Sequence, residues 1–236
     1  MAAPRFTDDT LAFLRALKRN NDREWFRARK AEYERVVRQP MVEFIERMAL
    51  DLPHFAPDLV ASPKVSLYRV YRDTRFSRDK SPLKTHIAAI FPHRELSKHG
   101  GAGLYFHVAP DQVFIGGGSY MPDPRQLYRV RRHMADNLPR LLDIVDAPAF
   151  RKSFGAVRGE RLQRVPSGFP KDHPAGEYLK LKQFLAGCER PASFATGPRV
   201  YSALLRLFER LAPLIAFLNE PLEADPALPQ ARRAAR

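Results

Sequence analysis

The segment from residue 69 to residue 84 concentrates the side chains best suited to bind an anion. It reads Arg-Val-Tyr-Arg-Asp-Thr-Arg-Phe-Ser-Arg-Asp-Lys-Ser-Pro-Leu-Lys. Arginine suits phosphate and carboxylate groups because its guanidinium donates two parallel hydrogen bonds, and lysine adds a compact positive charge. The candidate ligand-binding residues of this segment are Arg69, Arg72, Arg75, Lys80 and Lys84.

Two carboxylates in the same segment, Asp73 and Asp79, leave more than one interpretation open. Residues 64–94 carry eight lysines or arginines against these two aspartates, which is a local net charge of +6. The aspartates could pair with neighbouring arginines in an ion-pair network that holds a loop. Alternatively, the excess of cations binds an anion, or the aspartates transfer protons in a catalytic site.

A run of three glycines followed by Ser-Tyr lies between a predicted strand and a predicted helix. Glycine lets the backbone approach a ligand closely, and a helix N-terminus favours an anion. Further candidate ligand-binding residues are therefore Gly116, Gly117, Gly118 and Tyr120. The run matches neither the phosphate-binding loop of nucleotide hydrolases nor the dinucleotide-binding fingerprint. A bulge or close packing of the strand end is the alternative interpretation.

The loop around His173 is a third place where chemistry is conceivable. His173 follows Asp172 directly, and such a pair could perform acid–base catalysis or simply cap the following helix. The seven histidines show no metal-binding spacing, so we expect no metal and no cofactor. His86 and His107 could meet across a sheet, although a packing role is the usual explanation for such histidines. Cys188 is interpreted as structural.

Helix-spaced apolar residues at both ends of the chain predict two helical regions. The first helix is expected to be capped by Asp8 or Asp9, and the second by Asp22. Trp25 and Phe26 follow in that second helix and should be mostly buried. A third helix is expected from near residue 40, and another from residue 124 with Asp-Pro at its start. Further helices are predicted over residues 175–185 and 200–218, the last with a kink or break at residue 213.

Between these regions the apolar period changes to that of β-strands. Four strands are predicted, over residues 65–72, 86–91, 103–109 and 112–116. The last two are joined by Pro110-Asp111 and should form a hairpin of neighbouring strands. The sequence therefore predicts an α+β fold, in which an antiparallel sheet of about four strands has N-terminal and C-terminal helices packed on it.

Composition bounds the class of protein. The chain has 236 residues and a formal net charge of +14, which attracts polyanions unless it merely reflects compositional bias. No apolar run approaches the roughly 18–20 residues that span a membrane, and residues 1–6 lack the apolar core of a secretory signal. The single cysteine allows no intrachain disulfide, so we expect a cytoplasmic protein. Residues 1–222 should form one globular domain and residues 223–236 a flexible basic tail, while the oligomeric state stays open.

Four stretches of the chain together resemble a known bacterial family, the domain of unknown function 2461. They are Asn-Asp-Arg-Glu-Trp-Phe at residues 21–26, the basic stretch 71–84, the glycine run 116–122 and Gly-Phe-Pro-Lys-Asp-His-Pro at residues 168–174. The resemblance covers residue 6 to about residue 222. It implies one conserved domain, and it brings no catalytic residue, substrate or cofactor.

Three hypotheses for function follow from these observations. The first is binding of a phosphate-bearing ligand, or of nucleic acid, through the basic segment and the glycine run. In that case Arg72, Arg75 and Lys80 should lie in one concave region near the glycines. The second is an enzyme for a phosphorylated or anionic small molecule, in which Asp73, Asp79 or His173 handles protons. The third is a structural or interaction domain with solvated charges. The sequence shows no helix-turn-helix or zinc-finger pattern, so nothing in it favours sequence-specific DNA binding.

Overall fold

An antiparallel sheet of four strands carries the fold of this protein. The computed structural model describes residues 3–75 and 78–223. Within those ranges the strands are β1 (Ile87–Phe91), β2 (Gly103–Val108), β3 (Gln112–Ser119) and β4 (Phe184–Pro191), in the order β1-β2-β3-β4. β2 and β3 are hydrogen-bonded neighbours with Val108 opposite Val113, so the predicted hairpin is confirmed. The predicted α+β class is also confirmed.

Helices precede, interrupt and follow the sheet. Before it come α1 (Asp8–Arg19), α2 (Arg23–Ala28), α3 (Lys30–Tyr33), α4 (Gln39–Asp51) and α5 (Pro63–Ser66), with a π-helical turn Glu34–Arg38 leading into α4. Between β3 and β4 lie α6 (Pro124–Asp136), α7 (Leu138–Val145), α8 (Pro148–Phe154) and α9 (Gly176–Leu179). The long helix α10 (Val200–Glu223) follows β4.

Helices α4 and α10 cover only one face of the sheet. Phe106 of β2 packs on Phe44 of α4 at 5.7 Å between ring centroids, and Phe91 of β1 packs on Phe208 of α10 at 5.6 Å. Successive side chains of a strand point to opposite faces, so Tyr105 and His107 lie on the other face. These two side chains are only partly buried. The face that the two helices leave open is where the candidate site lies.

Local sequence signals explain where several helices begin. Asp22 accepts hydrogen bonds from the backbone N–H groups of Glu24 and Trp25, and Asp123 caps α6 in the same way, as predicted. The expected capping of α1 by Asp8 or Asp9 is wrong, because Thr7 occupies the cap position. The two aspartates instead lie in the first turn, where they interact favourably with the helix dipole.

Two predicted elements differ from the observed ones. Residues 65–72 are not a strand, because Ser62 caps a helix that begins at Pro63. The extended segment after this helix forms only isolated β-bridges with other segments. The fourth strand of the sheet is β4, whereas the helix expected over residues 175–185 is confined to α9. The apolar residues in that stretch fit helical spacing locally. The stretch from residue 184 nevertheless forms a strand because it pairs with β3.

Two further expectations concern proline and tryptophan. Helix α10 continues through Pro213, so it does not break there, and a kink at this residue stays a prediction. The buried neighbours Leu211 and Leu214 hold the helix against the core. Phe26 is buried as predicted. Trp25 is only partly buried, because one side of its ring contacts Phe13 while Arg29 lies over it at 4.6 Å from its centroid.

The buried apolar side chains form a cluster that extends from Phe6 to Leu222. The single domain over residues 1–222 stays a prediction. Glu223 of the predicted tail is the last residue of α10, and residues 224–236 lie outside the described part of the chain. Over residues 3–75 and 78–223, no helix has the length and apolar character needed to span a bilayer.

Candidate functional site

A cavity of about 470 Å³ lies on the open face of the sheet. We call it the sheet-face cavity. Its floor comes from residues of all four strands, and its rim comes from the segments before β1 and β2 and from Tyr120 after β3. The residues that line it are Tyr68, Lys84, His86, Ala88, Ile90, His99, Gly103, Tyr105, His107, Gln112, Phe114, Gly117, Gly118, Tyr120, Leu185, Ala186 and Glu189.

Tyr68 and Lys84 line the rim of this cavity, and a second lysine, Lys98, also packs on the Tyr68 ring. The Lys84 and Lys98 ammonium nitrogens lie 4.8 and 4.7 Å from the centroid of the Tyr68 ring. Lys98 also donates a hydrogen bond of 2.5 Å to the carbonyl oxygen of Val65. Within the described residues, neither lysine has a carboxylate at ion-pair distance. We call Tyr68, Lys84 and Lys98 the lysine clasp.

The electrostatic environment of the lysine clasp disfavours its own charge. Burial lowers the pKa of Lys84, and the nearby cations Arg69, Lys98 and Arg72 lower it further. Burial alone lowers the pKa of Lys98. Partly desolvated like charges of this kind are unfavourable unless an anion offsets them. The clasp is therefore a place where a bound anion would be stabilising.

Three rings form a row across the floor of the cavity. His107 and Phe114 are opposite each other in the β2–β3 register, and their rings are stacked at 5.8 Å with an interplanar angle of 22°. His86 lies on the other side of His107, with 5.0 Å between ring centroids. The Tyr105 hydroxyl is hydrogen-bonded to His107 Nδ1 at 3.1 Å. Burial, with a smaller contribution from nearby His86, lowers the pKa of His107 to about 4, so its imidazole is neutral at pH 7.

The basic loop between Tyr68 and Lys84 is held together by its own charges. Arg72 forms an ion pair with Asp79 and donates to the Ser81 hydroxyl at 3.0 Å. Arg75 pairs with Asp73 at 2.8 Å. The pKa of Asp79 is lowered to about 2, chiefly by its hydrogen bond from the Ser81 hydroxyl. That of Asp73 is also lowered to about 2, chiefly by its hydrogen bond from Arg75.

Comparison with known families agrees with the resemblance found in the motifs. A family model described as "Conserved hypothetical protein (DUF2461)" matches residues 9–217. The chain belongs to the DUF2461 family. The match includes the whole sheet and all but the last turns of α10. No curated protein sequence matches the chain.

The sequence-predicted ligand residues of this DUF2461 protein divide into two groups. The residues that line the sheet-face cavity are Lys84, Gly117, Gly118 and Tyr120. The residues that are not among its lining residues are Arg69, Arg72, Arg75, Lys80 and Gly116. Lys80 donates to the carbonyl oxygen of Thr74 instead. Phe76 and Ser77, at the centre of the loop, lie outside the described residues.

The three consecutive glycines lie within β3 rather than in a turn before α6. Gly116 pairs with Tyr105 and Gly187, in the interior of the sheet. Gly118 has φ of +134° and faces the backbone of β4. Close packing of strands, which was the alternative interpretation, therefore accounts for this glycine. The anion site expected at the start of α6 is not supported, because the glycines do not form a loop there.

The three candidate catalytic residues lie away from the lining of the cavity. Asp73 and Asp79 are engaged with Arg75 and Arg72, and their low pKa values make them poor proton acceptors at neutral pH. His173 Nδ1 accepts a hydrogen bond of 3.0 Å from the backbone N–H of Ala175 just before α9. Within the described residues, no three or more metal-binding side chains cluster together.

Most of the cavity was missed by sequence reasoning. Tyr105, His107 and Phe114 come from alternate positions of the predicted hairpin, and this alternation was visible in the sequence. The proximity of His86 and His107 was also foreseen as one possibility. Which face of the hairpin would be left open, however, depends on where α4 and α10 pack.

Proposed function

We propose that this DUF2461 protein binds an anionic, phosphate-bearing small molecule in the sheet-face cavity. The observation that carries the proposal is the lysine clasp, in which two partly buried ammonium groups share one tyrosine ring and lack a carboxylate partner among the described residues. A phosphate beside Lys84 offsets the repulsion from Lys98 and Arg69. Charge-assisted hydrogen bonds of this type are stronger than neutral ones.

The charge distribution around the cavity is consistent with an anion at the clasp end. Among the described residues that line the cavity, Glu189 is the one carboxylate; it is exposed and lies opposite Phe114 in the β3–β4 register. It does not contribute to the pKa shift of Lys84, whereas three cations do. The clasp end of the cavity is therefore positive, because Glu189 does not compensate the charge of the lysines.

The size and enclosure of the cavity favour a small molecule over a nucleic acid duplex. Small-molecule sites are typically clefts of about 300–1,000 Å³ that combine apolar walls with a few polar groups. The sheet-face cavity has a volume in this range and the same mixture of groups. The net charge of +14 would steer anionic ligands toward the protein. A reducing, cytoplasmic location fits the free thiol of Cys188, the only cysteine.

Phosphate should stabilise the wild-type protein more than chloride does at matched ionic strength. At a concentration ten times the dissociation constant, ligand linkage contributes about 1.4 kcal/mol to the free energy of unfolding. Lys84→Met keeps the apolar stem on Tyr68 and removes the charge, so it should weaken phosphate binding roughly tenfold or more. Chemical denaturation in phosphate and in chloride measures both quantities.

Two further variants make this measurement decisive. Lys64→Met removes the same charge from an exposed position of α5 and should leave the phosphate effect unchanged. Arg72→Ala combined with Arg75→Ala tests the basic loop as the rival site. Because phosphate also stabilises proteins by exclusion from their surface, only the difference between variants counts. If Lys84→Met and Lys64→Met respond equally to phosphate, the clasp is not the site and its charges are simply solvated.

A further inference from the structure

We infer that the anion recognised by this protein is attached to a planar aromatic ring, the chemistry of a mononucleotide. The inference rests on the proposed anion site and adds the second half of the ligand. The observation behind it is the aromatic floor of the cavity. Binding of phosphate alone would give these rings no role.

The floor presents ring faces and edges close to the lysine clasp. His86, His107 and Phe114 form a continuous row, with centroid separations of 5.0 and 5.8 Å. Tyr105 lies 6.2 Å from Phe114 and 6.2 Å from Tyr68, so it connects this row to the clasp. A planar ring placed on this row therefore lies near Lys84 as well. Aromatic side chains bind nucleobases by stacking, whatever the base.

These rings are not part of the apolar core. Tyr68, Tyr105 and Phe114 are each only partly buried, whereas the phenylalanines on the opposite face of the sheet, such as Phe91 and Phe106, are fully buried. The aromatic side chains on the cavity face thus retain surface that a ligand can cover. Clustered exposed apolar surface of this kind commonly marks a binding groove.

The imidazoles in the row behave as neutral rings rather than as cations. Burial lowers the pKa of His86, and the positive charges of Lys84 and Arg72 lower it further. The pKa of His107 is lowered by burial and by nearby His86. The positive charge of the cavity is thereby confined to the lysines. The positive charge and the stacking surface therefore lie in separate parts of the cavity. This arrangement matches a ligand that carries its phosphate and its aromatic ring at different ends.

Polar groups are available for the edge of the bound ring. Gln112 and Glu189 both line the cavity, on β3 and β4, at the end away from the glycine pair Gly103 and Gly118. An amide offers both a donor and an acceptor, and a carboxylate accepts from an exocyclic amino group. These two side chains are suited to contact the edge of a base.

Isothermal titration calorimetry with three probes separates the ring from the phosphate. AMP carries both groups, ribose 5-phosphate lacks the base, and adenosine lacks the phosphate. The wild-type protein should bind AMP about tenfold more tightly than ribose 5-phosphate, because stacking one base has about that effect on affinity. Phe114→Leu should remove most of this difference, because it should weaken AMP binding far more than ribose 5-phosphate binding. Lys84→Met should weaken the binding of both AMP and ribose 5-phosphate.

The controls keep the two proposals distinguishable. Phe169→Leu removes a ring that contacts Tyr128 outside the cavity lining, so it should leave AMP binding unchanged. If Phe114→Leu fails to fold, His107→Gln replaces it as the stacking variant. Equal affinity of the wild type for AMP and ribose 5-phosphate overturns the aromatic inference and leaves the anion site standing. Adenosine binding as tight as AMP binding overturns the anion site, and no binding of any probe overturns both.

Discussion

Replacing Gly118 by alanine should lower the free energy of unfolding by about 2–6 kcal/mol, because strain and overpacking each contribute roughly 1–3 kcal/mol. The backbone at Gly118 has φ of +134°, which side-chain-bearing residues rarely adopt. A Cβ atom there would lie 1.9 Å from the carbonyl oxygen of Phe184. That oxygen belongs to the neighbouring strand β4, so it cannot move away without disturbing the β3–β4 hydrogen bonds.

Urea denaturation of the Gly118→Ala variant tests this expectation. Gly176→Ala is a matched control, because a Cβ atom at Gly176 would make only ordinary contact, 3.5 Å from Val165 Cγ2. The control should be neutral, or stabilising by up to about 1 kcal/mol through the unfolded state. A loss below about 1 kcal/mol for Gly118→Ala would show that β3 and β4 are not packed as described. Since Gly118 also lines the cavity, the same contact shapes the proposed site.

Asn219→Ala should cost about 2–4 kcal/mol of stability, because it leaves two buried backbone groups without hydrogen-bond partners. The Asn219 amide is 1% exposed; it accepts a hydrogen bond of 2.7 Å from the Ala102 N–H and donates one of 3.0 Å to the Ala102 carbonyl. These two bonds connect α10 to the residue just before β2. Alanine also leaves a cavity, which adds to the loss.

Thermal or chemical melts compare this variant with Asn20→Ala. Asn20 lies at the exposed end of α1, where its side chain donates to the Ala16 carbonyl, so water can replace the lost bond. We expect a cost of about 1 kcal/mol or less for this control. Equal losses for the two variants would contradict the assignment of Asn219 as the connection between α10 and the start of β2.

The parts of the fold that were predictable from sequence are those fixed by local chemistry. Asp22 and Asp123 were recognised as helix caps because a short acidic side chain can reach the backbone N–H groups of the next turn. The β2–β3 hairpin was recognised because alternating residues surround Pro110-Asp111. The strand expected over residues 65–72 is wrong because the prediction rested on β-branched and aromatic residues alone, whereas Ser62 and Pro63 start a short helix there. β4 was missed because its pairing with β3 is a tertiary effect.

The candidate site was predictable only in part: besides Lys84, the predicted ligand residues Gly117, Gly118 and Tyr120 line the cavity. Lys84 was named from the basic segment, and it lies in the clasp. Its neighbours Arg72 and Arg75 looked equivalent in sequence, but they pair with Asp79 and Asp73, which lie within seven residues of them. The contribution of Tyr68 and Lys98 could not be read from the chain, because the clasp forms only when the segments before β1 and β2 meet over the sheet.

The position of a bound anion tests the central claim most directly. Crystals of the wild-type protein grown with selenate, a tetrahedral oxyanion like phosphate, allow that position to be read from the anomalous scattering of selenium. We predict that the strongest anomalous peak lies in the sheet-face cavity, within hydrogen-bonding distance of Lys84 Nζ and beside Tyr68. A strongest peak at Arg72, Arg75 and Lys80, with none beside the lysine clasp, would contradict the account.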